Sequence, residues 1–184
     1  HELIHRFLWK TGLSPDDFLW FHEGMAQYVS IEVVNKLGYE GAATERERLE
    51  EASSQLIISR RGERFYFLQY WSPEDQPVNI GEYYAASYYV VSRLAEEYDG
   101  FDYYARFFKS IREKPIENVD ILTYHLSLAA NETVAPMLTK WGFDVADMYI
   151  SSTLIEEARK GIEGLNPMFQ PYKFLAETFY EQGP

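Results

Sequence analysis

No cysteine occurs among the 184 residues. Disulfides and thiolate metal sites are therefore excluded, and the redox compartment is left undetermined. Any metal must be held by His, Asp or Glu, and there are only four histidines, so their placement is informative. Positive charge is also short: 17 Lys and Arg stand against 29 Asp and Glu, for a net charge of −12 and a pI of about 4.8. Such a field repels nucleic acid, which excludes it as a partner, and suits cations and peptides of basic or neutral character. No apolar run approaches the roughly 20 residues that span a bilayer. Repeats, low-complexity tracts and a recognisable leader peptide are absent too. Because the chain starts on His1, it is expected to be part of a longer protein whose upstream, β-containing lobe is missing.

What is present is enough for a core. Hydrophobic residues make up 46% and charged residues 25%, ordinary for a globular chain of this size. Aromatics reach 17%, with 15 Tyr and 12 Phe, which implies thick ring packing between helices or a groove lined with rings. The patterning reads as mainly α with little or no sheet. HELIHRFLWKT, residues 1–11, carries an apolar stripe of Leu3, Ile4, Phe7 and Leu8 and stops at Gly12. Ser14 is a natural N-cap, Pro15 fits the first helical position, and Asp16 and Asp17 suit the positive end of the helix dipole. The helix they start runs to Gly38. Gly24 inside it costs up to about 1 kcal/mol relative to Ala, which a close approach by a neighbouring backbone or side chain would explain.

Further helices are expected over 42–57, 80–98, 101–113, 118–130, 132–141, 152–162 and 173–182. FYFLQYW, residues 65–71, reads as a short strand or a packed aromatic loop, and WGFDVADMYI, 141–150, is ambiguous. The whole is one helical domain in three stretches: metal-site helices over 1–37, a connecting helix and aromatic loop over 38–79, and a helical bundle over 80–184.

The chemistry is concentrated at the start. In HELIH, His1 and His5 are four residues apart, so on a helix both imidazoles leave one face a turn apart. One zinc ion can take a nitrogen from each. Glu2, rotated by about 100°, reaches a water beside the metal rather than the metal itself. A catalytic site needs a third protein ligand and an open fourth position. Glu23, about two turns into the helix that folds back after Gly12, is the candidate.

HELIH followed by WFHEGMAQY resembles the gluzincin metallopeptidases, zincins whose third ligand is a glutamate on a following helix. W-x-x-E-G-x-A-x-Y, carried by Trp20, Glu23, Gly24, Ala26 and Tyr28, is similar to the aminopeptidase N-like group in particular. That resemblance implies the helical lobe of a thermolysin-like or aminopeptidase N-like catalytic domain, a zinc cofactor on His1, His5 and Glu23, and a peptide or protein substrate. It also implies a tyrosine that hydrogen-bonds the oxyanion. Y-x-x-S-Y in EYYAASYYVVSRLAEEYDG puts Tyr84 at that place, with Tyr83 as the alternative register and Tyr88 a further contender. LTKWGF, 138–143, is similar to a tract late in such domains. The His5-to-Glu23 spacing is one residue shorter than the aminopeptidase N pattern. The exopeptidase motif and the substrate-binding sheet lie upstream of HExxH in that group, so aminopeptidase and endopeptidase both stay open. His1 at the literal start would sit on an unanchored turn, so the site in this chain alone is expected to be poorly ordered or metal-free.

Plainer roles suit the other polar residues. His22 is expected to be a satisfied or exposed histidine, His125 a core or surface one, Gln27 a solvated residue or an orienter of a ligand, and ERERLEE an exposed helix face. Two rivals to the peptidase stand beside it: a non-catalytic helical interaction or scaffold domain derived from a peptidase, and an unrelated metal-binding helical domain.

Overall fold

The computed structural model describes residues 1–75, 77–112 and 116–164. Among them there is no strand; the elements are α1 (Glu2–Lys10), α2 (Pro15–Lys36), α3 (Ala42–Ser59), a 3-10 turn (Tyr66–Tyr70), α4 (Ile80–Glu97), α5 (Phe101–Ser110), α6 (Val119–Ala130), α7 (Ala135–Lys140) and α8 (Met148–Glu163). The aromatic stretch after α3 is thus neither strand nor plain loop. The ambiguous stretch resolves into a loop and then α8, which starts several residues ahead of the expected 152. Its start is capped by Asp147, whose side chain accepts from the Ile150 N–H, a signal as good as Ser14's. The helix expected over 173–182 lies outside the described residues. No helix among them is long and apolar enough to cross a membrane.

The turn from α1 to α2 is built from local rules. Gly12 adopts φ +90°, where L side chains are strained. Its N–H donates to the Trp9 carbonyl (3.1 Å) and the Leu13 N–H to the Leu8 carbonyl (3.2 Å), the Schellman pattern that closes a helix. Leu8 and Leu13, the apolar pair that accompanies it, are both fully buried. Ser14 then caps α2, accepting from the Asp16 N–H at 3.2 Å. Phe18 has non-helical angles (φ −135°, ψ 38°), so the first turn of α2 meets the rest of the helix at a kink. Leu13 and Phe18 are both in the core, as an apolar staple around an N-cap requires.

α2 is the central helix. It packs along α4 and against α1 and α3; α5 pairs with α6, and α6 with α8. One hydrophobic core joins these elements, and the aromatic excess fills it. Phe21 meets Phe107 edge-on at 5.5 Å and Trp20 lies 4.8 Å from Phe143. Two fully buried phenols in this core find acceptors: Tyr104 donates to the Val91 carbonyl at 2.7 Å and Tyr103 to that of Leu126 at 3.3 Å. At Gly24 a Cβ would lie 2.5 Å from the Ser87 carbonyl oxygen of α4, so the glycine is there because α4 passes too close for any side chain.

Candidate metal centre

His1 is the N-cap of α1 and His5 lies one turn on. Their Nε2 atoms are 3.1 Å apart. The α1–α2 turn brings Glu23 opposite, with Oε2 at 3.4 Å from His1 Nε2 and 3.6 Å from His5 Nε2. Tetrahedral zinc with bonds of about 2.0–2.2 Å holds neighbouring ligand atoms about 3.3–3.6 Å apart. The three side chains therefore fit one such ion. Among the described residues, this is the one group of three or more His, Asp and Glu side chains close enough to share an ion.

The electrostatics point the same way. Burial raises the Glu23 carboxyl to about 7, with help from the negative charge of Glu2. Burial, then neighbouring His22, lowers His5. The Glu23 side chain is only 13% exposed, and its Oε2 has no hydrogen-bond partner. An ion pair with His5 requires a protonated imidazole, which the lowered His5 disfavours, so the contact is not a salt bridge in the ordinary sense. Two imidazole nitrogens and a carboxylate oxygen face one spot. Ionising the carboxyl there is costly without a cation beside it, and a divalent cation would satisfy all three.

His22 is the satisfied histidine that was expected, and it lies beside His5. It is 1% exposed, its ring plane within 9° of that of His5 and the two centroids 5.7 Å apart. Its Nε2 lies 3.0 Å from the Leu13 carbonyl. A carbonyl only accepts, so Nε2 carries the proton and Nδ1 is left as an acceptor. His5 Nδ1 lies 3.5 Å from it, a long contact through which His5 can donate. That order fixes the His5 tautomer and turns its Nε2 lone pair toward Glu23. Burial is the larger cause of His22's lowered pKa, opposed by the Leu13 bond, so the neutral form that this relay needs is favoured.

The three side chains lie in an open cleft of about 470 Å³, which Glu2 and Tyr84 also line. Glu2 is exposed on the first turn of α1 and close enough for its charge to act on Glu23 and His5. Tyr84, on α4, has its phenol raised by burial and then by Glu23. The other two tyrosines go elsewhere. Tyr83 packs against Phe67 (4.6 Å) and Trp71 (5.1 Å), and Tyr88 lines a different cleft. Gln27 does not orient a ligand: its amide donates to the Tyr84 carbonyl at 3.4 Å, tying α2 to α4. His125 is buried, its Nδ1 3.0 Å from Ser110 Oγ.

No protein-family model matches the chain, and neither does any curated protein or any solved structure.

Proposed function

We propose that the protein is the helical lobe of a gluzincin-type zinc metallopeptidase and hydrolyses peptide bonds. The observation that carries this reading is the meeting of His1 Nε2, His5 Nε2 and Glu23 Oε2 at 3.1–3.6 Å, inside an HExxH frame with its glutamate in the same cleft. His1, His5 and Glu23 would hold the ion, and the open cleft leaves its fourth position to water and substrate. Bound there, zinc lowers the pKa of a coordinated water to about 7 and draws charge from the scissile carbonyl. Glu2 would take one proton of the attacking water and deliver it to the leaving amine as the C–N bond breaks, while the hydroxyl with the other proton stays on the acyl carbon as the new carboxyl group, so one water is consumed per bond. The Tyr84 hydroxyl stays protonated, its pKa being raised, and donates to the oxyanion as charge develops. His22 holds His5 in the tautomer that binds metal.

The test is Glu2→Gln, assayed on a peptide library that includes free and blocked amino termini. The variant should bind zinc as tightly as the unaltered protein and lose hydrolysis by at least about 100-fold, the scale of a positioned acid–base group. Turnover retained in zinc-loaded Glu2→Gln refutes the mechanism. One observation favours the non-catalytic rival: Leu3 and Trp9 on α1 are 77% and 72% exposed, an apolar face suited to another surface. Stoichiometric zinc without turnover on any library member would select that rival.

A further inference from the structure

A second cleft, of about 400 Å³, opens between α2, α3, the end of α4 and the start of α5. It shares no lining residue with the metal centre. Glu32, at its wall, is nine residues beyond Glu23 and thus about 13 Å further along α2. Five carboxylates line it: Glu32, Glu50, Glu96, Glu97 and Asp99. The lining holds one cation, Arg46, which is paired with Glu32. Glu96 pairs with Arg93 at 2.5 Å and Asp99 with Arg106 at 3.5 Å. Glu50 and Glu97 have no ion-pair partner among the described residues.

Acidic side chains alone do not make a site; two phenols do. Tyr28 and Tyr88 line the same cleft and are only 8% and 3% exposed. Neither hydroxyl is hydrogen-bonded within the described residues, whereas Tyr103, Tyr104 and Tyr89 all donate to acceptors. Their rings are buried while their hydroxyls open on the cleft, so both hydroxyls are available to a ligand that enters it. Burial is the main reason both phenols rise to about 12, and Glu32 and Glu96 add to it in each. Both hydroxyls are therefore neutral at physiological pH and can accept an N–H hydrogen bond. A metal ion does not suit the cleft, because its carboxylates do not converge: the only such convergent group among the described residues is at the metal centre.

We propose that this cleft binds an organic cation, an alkylammonium or guanidinium group, with the Tyr28 and Tyr88 hydroxyls accepting its N–H groups and Glu50 and Glu97 balancing its charge. Two sources share that chemistry, a free small amine and a basic side chain of a peptide. Isothermal titration with agmatine and with the blocked peptide Gly-Arg-Gly, in about 150 mM salt to screen diffuse attraction, separates them: tighter agmatine points to the free amine, tighter peptide to a protein segment. The proposal expects saturable one-site binding of at least one probe. It also expects at least 10-fold weakening in the Tyr28→Phe/Tyr88→Phe double variant, which leaves the net charge unchanged. Glu50→Gln/Glu97→Gln, at two exposed positions, should weaken binding as much and guards against a folding defect in the first variant. Absence of saturable binding by both probes overturns the proposal. So does unchanged affinity in both double variants, since attraction to the overall charge would then be the whole effect.

Discussion

Replacing Gly24 by alanine tests the packing that sets the candidate site. A Cβ at that position would stand 2.5 Å from the Ser87 carbonyl oxygen, 2.9 Å from the Ser87 carbonyl carbon and 2.7 Å from Val91 Cγ2. Carbon atoms in ordinary contact sit about 3.5–4.0 Å apart. Val91 could turn its side chain, but the Ser87 carbonyl belongs to the main chain in the middle of α4 and cannot swing aside. The two helices must separate by something on the order of 1 Å to restore contact distances. Overpacking of this kind costs about 1–3 kcal/mol. Because the clash is with main chain, the cost lies in the upper half of that range, about 2–3 kcal/mol; the better helix propensity of alanine returns about 1 kcal/mol, leaving a net loss of about 1–2 kcal/mol. At about 2–4 °C per kcal/mol for a chain of this length, Tm should fall by about 2–8 °C. The loss should be seen in thermal and urea unfolding alike, with the m-value unchanged. The same separation carries Tyr84, one turn before Ser87, away from Glu23, so turnover should fall while zinc affinity, set by side chains on α1 and α2, is kept. A Gly24→Ala protein as stable as the original, or more so, would mean that helix propensity outweighs contact and that α4 does not lie where it is described.

Other substitutions probe the same neighbourhood. Glu23 has its carboxyl raised from 4.5 to about 7, so in chelator-treated protein its contribution to stability is full below pH 4.5 and is lost as pH rises through 7. Glu23→Gln should therefore match the original near pH 4 and exceed it in Tm at pH 8; a gap that does not change with pH contradicts this. His22→Phe keeps a buried ring but removes both nitrogens, and should weaken zinc binding about 10- to 100-fold in a competition titration; unchanged affinity would remove His22 from the site. Ser87 is fully buried with an unpaired Oγ, so Ser87→Ala should be neutral or stabilising in urea unfolding. A loss of more than about 1 kcal/mol would show that the hydroxyl has a partner.

Much of this was legible in the chain because it rests on short-range rules. The His1–His5 spacing needs only a helix, and the Gly12–Ser14 stop and start follow from capping chemistry. Gly24 announced a close neighbour by being costly where it stands, although not which one. His22 was read as satisfied or exposed and is satisfied, but its partner, the Leu13 main-chain carbonyl, is one that no side-chain pattern encodes. Tyr83, Tyr84 and Tyr88 could not be separated on the sequence: neighbouring positions differ by about 100° around a helix, and only the packing of α4 on α2 sets which of them faces Glu23. The paired phenols of the second cleft were invisible for a similar reason, since Tyr28 and Tyr88 are 60 positions apart and meet only through that same helix pair. The 3-10 turn at Tyr66–Tyr70 escaped because a short aromatic run has no period long enough to choose between strand and turn.

The most direct test of the central claim is the zinc content of the protein and of Glu23→Ala, by elemental analysis after dialysis against trace zinc. Because His1, His5 and Glu23 already converge at 3.1–3.6 Å, in place of the poorly ordered or metal-free site expected from the chain start, close to one zinc per chain should be found in the first and a large loss in the second. No zinc in the unaltered protein, or equal zinc in both, would contradict a centre built from His1, His5 and Glu23.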